Sequence, residues 1–346
     1  MLTFKAQGHR IISLTQVDGI EINTFLKQEG IEANSYVIDH HWNILFYFRH
    51  LLYFIRFCRK NNVSVVFSHL DSANFVASIG QYFIPAKVFL CRHHIDEAAL
   101  YNYHLSWSYR LTNKLAKKII VVSSRAKNYM IEVEKVPEDK LIHINLAYDF
   151  SLYRVPKIED VRNIRKAYPA DVLLVTACRL TQFKRPDLSI KAIQKLTTQG
   201  VNASLIILGN GEMRGALSQY IQENNLTEKV FLLGHVNNVL DYLAAADYLI
   251  HPSILESSCV VVKEAGLVKK PVIVCQNIGD FDDYLKNGYN GFLVDRDQFA
   301  EGVANVVLDN IVNMQYLDNV GENLSNDILR LFAVENVIQH YRYLIM

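Results

Sequence analysis

Two glutamates at a defined spacing are the residues in this sequence whose chemistry is easiest to interpret. The segment HPSILESSCVVVKEAG, residues 251–266, contains Glu256 followed by seven residues and then Glu264. If a helix begins near Ser257 or Ser258, Glu256 lies at its N-terminus and Glu264 lies about two turns further along. The N–H groups of a first helical turn favour phosphate oxygens, and a nearby carboxylate accepts hydrogen bonds from sugar hydroxyls. The segment therefore predicts a site for a phosphorylated sugar, although an isolated pair of glutamates commonly just faces solvent.

Two cations occupy a second loop of the same kind. The segment ACRLTQFKRPDLSIKAI begins at Ala177 and places Arg179 and Lys184 between a strand-forming run and Pro186, which suits the first turn of a helix. A planar guanidinium binds phosphate through two hydrogen bonds, and an ammonium group adds a compact charge. Considered alone, solvation of these side chains at the surface is the simpler explanation. Their occurrence together with the glutamate motif at one sheet edge favours a clamp for a diphosphate.

Glycines follow two further strand-forming runs. Gly209 and Gly211 lie in LGNGEM, and Gly234 lies in FLLGHVNNV. Glycine lets the backbone of a loop approach a ligand closely, but a single glycine after a strand is usually only a turn. These loops are therefore candidate walls of the same site.

The elements that position these loops alternate between short β-branched runs and longer stretches of helical pattern. This alternation predicts parallel strands joined by helical crossovers, an α/β fold. It pauses near residue 150, where residues 150–169 are interpreted as a linker and a leading helix, and then resumes. We therefore expect two doubly wound, Rossmann-like domains, residues 1–155 and 156–330, with a C-terminal helix in 331–346 packing back on the first. Ligands of such sheets bind at the carboxyl ends of the strands, so function is expected in a crevice that the two domains face. The strand-forming runs begin at residues 10, 64, 87, 118, 140, 171, 203, 229, 247, 271 and 291.

Composition excludes several classes of protein. The chain has 346 residues, with 36 basic and 35 acidic side chains and a net charge of +1, so a nucleic-acid binder is disfavoured. The five cysteines include no C-x-x-C pair, which argues against a zinc site or a disulfide framework and favours reduced thiols. Neither a transmembrane segment nor a signal peptide is predicted. A cytoplasmic location is expected.

Taken in order, these motifs resemble a known family. The motifs that carry the resemblance are Arg179 with Lys184, the Gly-x-Gly after a strand, the Gly-His-Val loop, Pro-Ser-x-x-Glu, the paired glutamates, Pro271-Val272 and DYLKNGYNGFLV. Together they resemble the retaining glycosyltransferases of family 4, the glycosyl transferases group 1, which have the GT-B fold. The series extends from Arg179 to Val294 and is far more specific than any one member. The resemblance implies a hexosyltransferase-type enzyme.

The resemblance also implies roles for individual residues. In the family, the Arg and Lys bind the donor diphosphate, and the second Glu binds the nucleotide ribose. The first Glu and the backbone amides after it contact the sugar and the phosphate. A His after the strand that precedes the crevice lies near the transferred sugar. Carried over by position, the catalytic group is Arg179, Lys184, Glu256, His93 and His94, and the donor-binding group is Gly209, Gly211, Gly234, His235, Val236, Ser257, Ser258, Cys259, Val260 and Glu264.

The sequence also departs from the family pattern. Ser257-Ser258-Cys259 stands where relatives often have Gly-Phe-Gly, which tightens the space beside the donor sugar, and the usual Gly-Gly-x-x-Glu segment is represented only by residues 278–283, in uncertain register. Residues 5–12 resemble a step that relatives reach only after a first strand and a glycine-rich loop. We therefore expect that this strand and loop are missing.

The resemblance implies transfer of a sugar from a UDP- or GDP-linked donor to an acceptor hydroxyl with retention of configuration. The expected setting is synthesis of cell-surface polysaccharide, lipopolysaccharide or glycolipid, with a sugar or lipid-linked sugar as acceptor and neither a metal nor a cofactor required. The main alternative is an N-terminally truncated, non-catalytic GT-B protein that binds nucleotide or acts as a scaffold. A sugar-nucleotide epimerase of the same architecture is a weaker one.

An aromatic and basic segment leaves the membrane question open. Residues 43–60 predict a helix that carries Arg49, Arg56, Arg59 and Lys60. Packing of this helix on the first sheet as an ordinary amphipathic element is the favoured interpretation. The alternative is peripheral contact with the inner face of a membrane, where a lipid-linked acceptor resides.

Overall fold

The computed structural model describes residues 1–16, 19–38, 44–93 and 107–346. The chain divides into two compact units, Met1–Asn145 with Val334–Met346, and Leu146–Ala333. The sequence-based boundaries lay at residues 155 and 331, so residues 146–155 and 331–333 belong to the second unit and not to the first. They do so because the Tyr148 N–H donates to the Phe332 carbonyl at 2.8 Å and Tyr148 forms a β-bridge with Ala333, which ties this segment to the second unit.

The described part of the first unit contains two parallel sheets. One has four strands in the order β3-β4-β5-β6, and the other is the pair β1-β2. The strands are β1 Ile12–Thr15, β2 Glu32–Ser35, β3 Val65–His69, β4 Lys87–Arg92, β5 Lys118–Val121 and β6 Leu141–His143. Helix α1, Leu2–Ala6, precedes β1, and the helices between the strands are α2 Ile20–Gln28, α3 Ile44–Lys60, α4 Asp71–Gly80, α5 Trp107–Leu115 and α6 Ser124–Glu132.

Alternating side chains of β4 and β5 build the core of this unit on both faces of the larger sheet. Val88, Leu90, Ile119 and Val121 pack on one face, and Phe89, Cys91 and Ile120 pack on the other. This is the pattern of a parallel strand that is covered by helices on both sides.

The second unit is one six-stranded parallel sheet in the order β12-β11-β10-β7-β8-β9. Its strands are β7 Val172–Ala177, β8 Ala203–Leu208, β9 Val230–Gly234, β10 Tyr248–His251, β11 Val272–Cys275 and β12 Phe292–Val294. Its helices are α7 Ile158–Ala167, α8 Pro186–Thr198, α9 Arg214–Glu223, α10 Val239–Ala245, α11 Val260–Leu267, α12 Phe281–Tyr284, α13 Phe299–Asn310 and α14 Met314–Phe332. The strand order reverses between β7 and β10, and ligands of open α/β sheets bind at such a switch point.

The last helix, α15 Val334–Ile345, belongs to the first unit. Val337 joins the core cluster of Phe89, Cys91 and Ile120, and the ring of Tyr341 lies 5.3 Å from that of Phe67. Every apolar run that the sequence marks as a strand is a strand in the structure. Both units are Rossmann-like, so the predicted fold class is confirmed. Among the described residues, no helix has the length and hydropathy needed to cross a bilayer.

Candidate functional site

The loops after β7 and β10 meet at the switch point of the second sheet. The N–H of Ile254 donates to the Phe183 carbonyl at 2.9 Å, and the Ser253 hydroxyl donates to the same oxygen at 3.2 Å. This pairing brings the Lys184 ammonium to 2.5 Å from the Glu256 carboxylate. The structure therefore joins the two motifs that lie 72 residues apart in the chain.

Glu256 has a second partner that the sequence did not single out. His251, the last residue of β10, places its Nε2 at 2.5 Å from the same Glu256 oxygen that Lys184 contacts. Burial by itself lowers the pKa of His251, but the Cys259 sulfur and the Glu256 carboxylate raise it to about 10. Burial likewise raises the pKa of Glu256, but His251 and Lys184 outweigh it and hold that pKa at about 2. At neutral pH the three side chains therefore carry a net positive charge, which suits an approaching diphosphate. The only sequence signal was a histidine at the end of a strand, before Pro-Ser.

Cys259 completes this cluster. Its sulfur lies 3.5 Å from His251 Nε2, and one ligand atom each from His251, Glu256 and Cys259 lies within 4.8 Å of the others, a spacing that suits a metal ion. The Glu256 oxygen, however, already accepts hydrogen bonds from an ammonium group and an imidazole at 2.5 Å. The positive charge of Lys184 opposes a second cation at that oxygen, so the geometry is that of a hydrogen-bonded cluster.

Helix α11 begins later than the sequence predicted. Its first residue is Val260, and Cys259 is the N-cap in an extended conformation, so Ser257 and Ser258 belong to the loop and the predicted start there is wrong. The N–H groups of the first turn have no acceptor within their own helix. The Ser258 hydroxyl lies 3.4 Å from the Tyr148 hydroxyl, which fixes the loop just before the helix.

Glu264 lies on α11 and is half-buried. Within the described ranges its carboxylate has no ion pair or hydrogen bond, and burial raises its pKa. Tyr153 is its neighbour, since burial and then the Glu264 charge raise the pKa of Tyr153. A half-buried carboxylate without a protein partner is suited to accept hydrogen bonds from hydroxyls of a ligand.

Arg179 and two glycines line the neighbouring loops. Arg179 is exposed, and in the described part of the chain its guanidinium forms no ion pair. Gly209 has a φ of +119°, and an added Cβ would lie 2.0 Å from the Cys178 carbonyl oxygen. At Gly211 the corresponding distance is 2.4 Å, to the Leu180 carbonyl oxygen. Both glycines are therefore required for the close packing of the β8 loop against the β7 loop, whatever they contribute to a ligand.

The loop after β9 carries the residues predicted to contact the base. Gly234 has a φ of +77°, and its carbonyl accepts the Gly209 N–H at 2.7 Å, so the β8 and β9 loops are adjacent. His235 is exposed, whereas Val236 is half-buried and packs on the core. Of these side chains, His235 is therefore the more available to a ligand.

A buried ion pair lies behind the site. Lys263, next to Glu264 on α11, places its ammonium 2.5 Å from Asp280, and both side chains are almost fully buried. The loop that carries Asp280 packs on Glu256, because a Cβ at Gly279 would lie 2.7 Å from Glu256 Cβ. The sequence did not predict this ion pair.

Of the two histidines assigned to the sugar, the structure describes His93, which lies in the first unit. His93 directly follows β4, and its Nε2 lies 2.8 Å from Nδ1 of His69, at the end of β3. His94 lies outside the described residues.

Comparison with family models matches nearly the whole chain. The model of the glycosyl transferases group 1 matches residues 157–325, and the model of Glycosyltransferase Family 4 matches residues 3–152. The first match contains the cluster around Glu256.

Individual relatives are more distant. The chain is 24% identical over 226 residues to the N-acetyl-alpha-D-glucosaminyl L-malate synthase of Bacillus anthracis, which is 64% of this chain and 58% of the relative. It is 30% identical over 133 residues to the UDP-Gal:alpha-D-GlcNAc-diphosphoundecaprenol alpha-1,3-galactosyltransferase of Escherichia coli, 37% of this chain and 33% of the relative. The chain thus spans less than two thirds of the length of these curated relatives.

Solved structures show the same fold. The Anabaena protein Alr3699/HepE, crystallised in complex with UDP, superposes with a TM-score of 0.85 at 19% identity, covering 98% of this chain and 93% of that chain.

Proposed function

Because the chain belongs to the family 4 glycosyltransferases and has their GT-B fold, we propose that it moves a sugar from a UDP- or GDP-linked donor to an acceptor hydroxyl with retention of configuration. One observation carries the proposal. Along a single sheet edge, the second unit presents the positive cluster of Lys184, His251 and Glu256. It also presents Arg179 and the carboxylate of Glu264, neither of which forms an ion pair with the residues that the structure describes. This is the set of charges that a nucleotide diphosphate sugar needs.

In the proposed reaction, the protein acts mainly through electrostatic stabilisation of the leaving group. The bond between the anomeric carbon and the diphosphate oxygen breaks, the bond to the acceptor oxygen forms, and the acceptor proton passes to the departing phosphate. Arg179, Lys184 and the first turn of α11 stabilise the negative charge that grows on the leaving group. Glu264 binds the ribose hydroxyls. Glu256, whose pKa is about 2, remains ionised and contacts the donor sugar. A role of His93 and His94 beside the transferred sugar stays a prediction from the family resemblance.

The acceptor that we propose is a sugar or a lipid-linked sugar in glycan or glycolipid synthesis. Support comes from the Escherichia coli relative, whose name specifies an acceptor linked to diphosphoundecaprenol. The proposed reaction needs no metal, because Arg179 and the Lys184 cluster supply the positive charge at the leaving group.

The test is a nucleotide-binding panel. Thermal shifts with UDP, GDP, ADP and CMP are measured with and without magnesium, since a ligand at 100 times its Kd stabilises a protein by about 2.7 kcal/mol. We expect one nucleotide to bind selectively, and Glu264→Ala and Arg179→Ala to abolish the shift. The exposed residues Glu228 and Arg162 provide matched controls, as Glu228→Ala and Arg162→Ala, which retain the shift.

Two outcomes would count against the proposal. A cooperatively melting protein that responds to none of the nucleotides would contradict the donor site. Selective binding without sugar transfer or donor hydrolysis, over a range of acceptors, would favour the non-catalytic alternative.

A further inference from the structure

Helix α3 of the first unit presents apolar side chains to solvent. Ile44 is 84% exposed, Leu45 and Phe48 are each 53% exposed, and Leu52 is 39% exposed. Helices on protein surfaces usually turn polar side chains outward, so an exposed apolar row at helical spacing indicates an interaction surface. The exposed stripe of α3, named here the α3 stripe, consists of Leu45, Phe48, Arg49, Leu52, Arg56 and Arg59.

The charge of the α3 stripe has one sign. None of the 17 residues of α3 is acidic, and its exposed charged side chains are Arg49, Arg56, Arg59 and Lys60. Arg59 donates two hydrogen bonds to the Phe83 carbonyl, at 2.7 and 3.0 Å. Over the described ranges, Arg49 and Arg56 form no ion pair. Two unpaired guanidinium groups therefore stand between apolar side chains.

The opposite face holds the helix in a fixed rotation. Phe46, His50 and Cys58 are buried, and the His50 ring lies within hydrogen-bond distance of the Tyr36 and Phe46 carbonyls, at 3.1 and 2.9 Å. Phe54 packs so closely on α4 that a Cβ at Gly80 would lie 2.6 Å from its ring. The α3 stripe therefore cannot turn inward without breaking these contacts.

We propose that the α3 stripe docks on an anionic lipid surface, with Leu45, Phe48 and Leu52 in the interfacial layer and Arg49 and Arg56 at the headgroup phosphates. Alternation of apolar and basic side chains on one helix face is the pattern that binds such surfaces. A water-soluble acidic protein would pair with the arginines but would not bury the exposed apolar side chains of the α3 stripe, Leu45, Phe48 and Leu52. The proposal concerns binding of the chain to a lipid surface and not the transfer reaction, so it is tested by measuring lipid binding without turnover.

The test is co-sedimentation with vesicles of phosphatidylcholine alone or mixed equally with phosphatidylglycerol. A basic residue near an anionic surface contributes roughly fivefold to partitioning, so Arg49→Glu with Arg56→Glu is expected to weaken binding to the mixed vesicles by about thirtyfold or more. The matched control reverses two exposed charges on α5, Arg110→Glu with Lys114→Glu, and retains binding. Added salt weakens wild-type binding.

A second variant tests lipid binding by fluorescence without changing any charge. In Phe48→Trp, the emission of the added indole, taken as the difference from wild type, is expected to shift to shorter wavelength with the mixed vesicles and not with phosphatidylcholine alone. Equal sedimentation of wild type and the Arg49/Arg56 variant, or an unchanged emission of Phe48→Trp on adding the mixed vesicles, would overturn the proposal. Self-association of the wild type that Phe48→Ser abolishes, without lipid binding, would also overturn it and assign the α3 stripe to a second copy of the chain.

Discussion

The buried His251–Glu256 pair predicts that part of the stability of the second unit depends on pH. The pKa of His251 is about 10 in the folded chain, compared with about 6.5 for an unperturbed histidine. Between these pH values the folded state holds a proton that the unfolded state has released. The free energy of unfolding therefore falls as pH rises through this window, and the full contribution is present only below it.

The magnitude follows from one proton. A difference of one bound proton changes the free energy of unfolding by about 1.4 kcal/mol per pH unit, so raising the pH from about 7 to 9 removes about 2–3 kcal/mol through this group. Glu256, with a pKa of about 2, stays ionised throughout and adds no slope of its own. Its stabilising contribution is lost only in acid, as pH falls below the ordinary range of a carboxyl.

The perturbation is His251→Gln, which keeps an N–H donor for Glu256 but removes the titrating group. Urea denaturation followed by circular dichroism, at several pH values from about 7 to 9, yields the free energy of unfolding. We expect the wild type to lose about 2–3 kcal/mol more than His251→Gln over this range. The control is His340→Gln on the exposed surface of α15, which retains the wild-type slope. Parallel curves for wild type and His251→Gln would refute the protonated, buried imidazole.

Further predictions test the packing and the chemistry of the second unit. Gly209→Ala is expected to lower the melting temperature, because its Cβ would lie 2.0 Å from the Cys178 carbonyl oxygen. The control Gly215→Ala, in open space on α9, is expected to raise or preserve the melting temperature. Equal melting temperatures of Gly209→Ala and the wild type would contradict the close packing. Lys263→Met, which leaves Asp280 buried and unpaired, is expected to cost about 3–5 kcal/mol of the free energy of unfolding. Adding Asp280→Asn is expected to recover part of that loss, and an additive double variant would argue against the pair. Sugar transfer is expected to proceed at an unchanged rate in EDTA, measured with a labelled donor, and a loss that magnesium restores would show a metal requirement.

Much of the architecture was accessible from the sequence because its signals are local. Residues 172–175 (VLLV) and 205–208 (LIIL) are apolar without interruption, as in strands that are buried on both faces, and each lies in a strand of the structure. Strand β2, Glu32–Ser35, was not predicted, because EANS has no apolar or β-branched run. It forms through pairing with β1, which an ion pair between Arg10 and Glu32 at 2.6 Å supports.

The sequence predicted candidate residues of the site but not the contacts between them. It singled out Arg179, Lys184, Glu256 and Glu264 by type and order. It placed the start of α11 too early, because the extended backbone of Cys259 depends on how the β10 loop folds against Phe183.

The amino-acid sequence determined the parallel sheets and the family, since periodicity and motif order are properties of the chain itself, and from the same motifs it predicted which residues bind a nucleotide diphosphate sugar. The tertiary structure decided which of those side chains are neutralised and which stay available. Lys184 is paired with Glu256, His251 is buried and charged beside them, and Glu264 has no ion pair or hydrogen bond within the described part of the chain. These outcomes depend on distances between loops that are separated by tens of residues, and charge pairing varies with distance and burial in a way that no local pattern encodes.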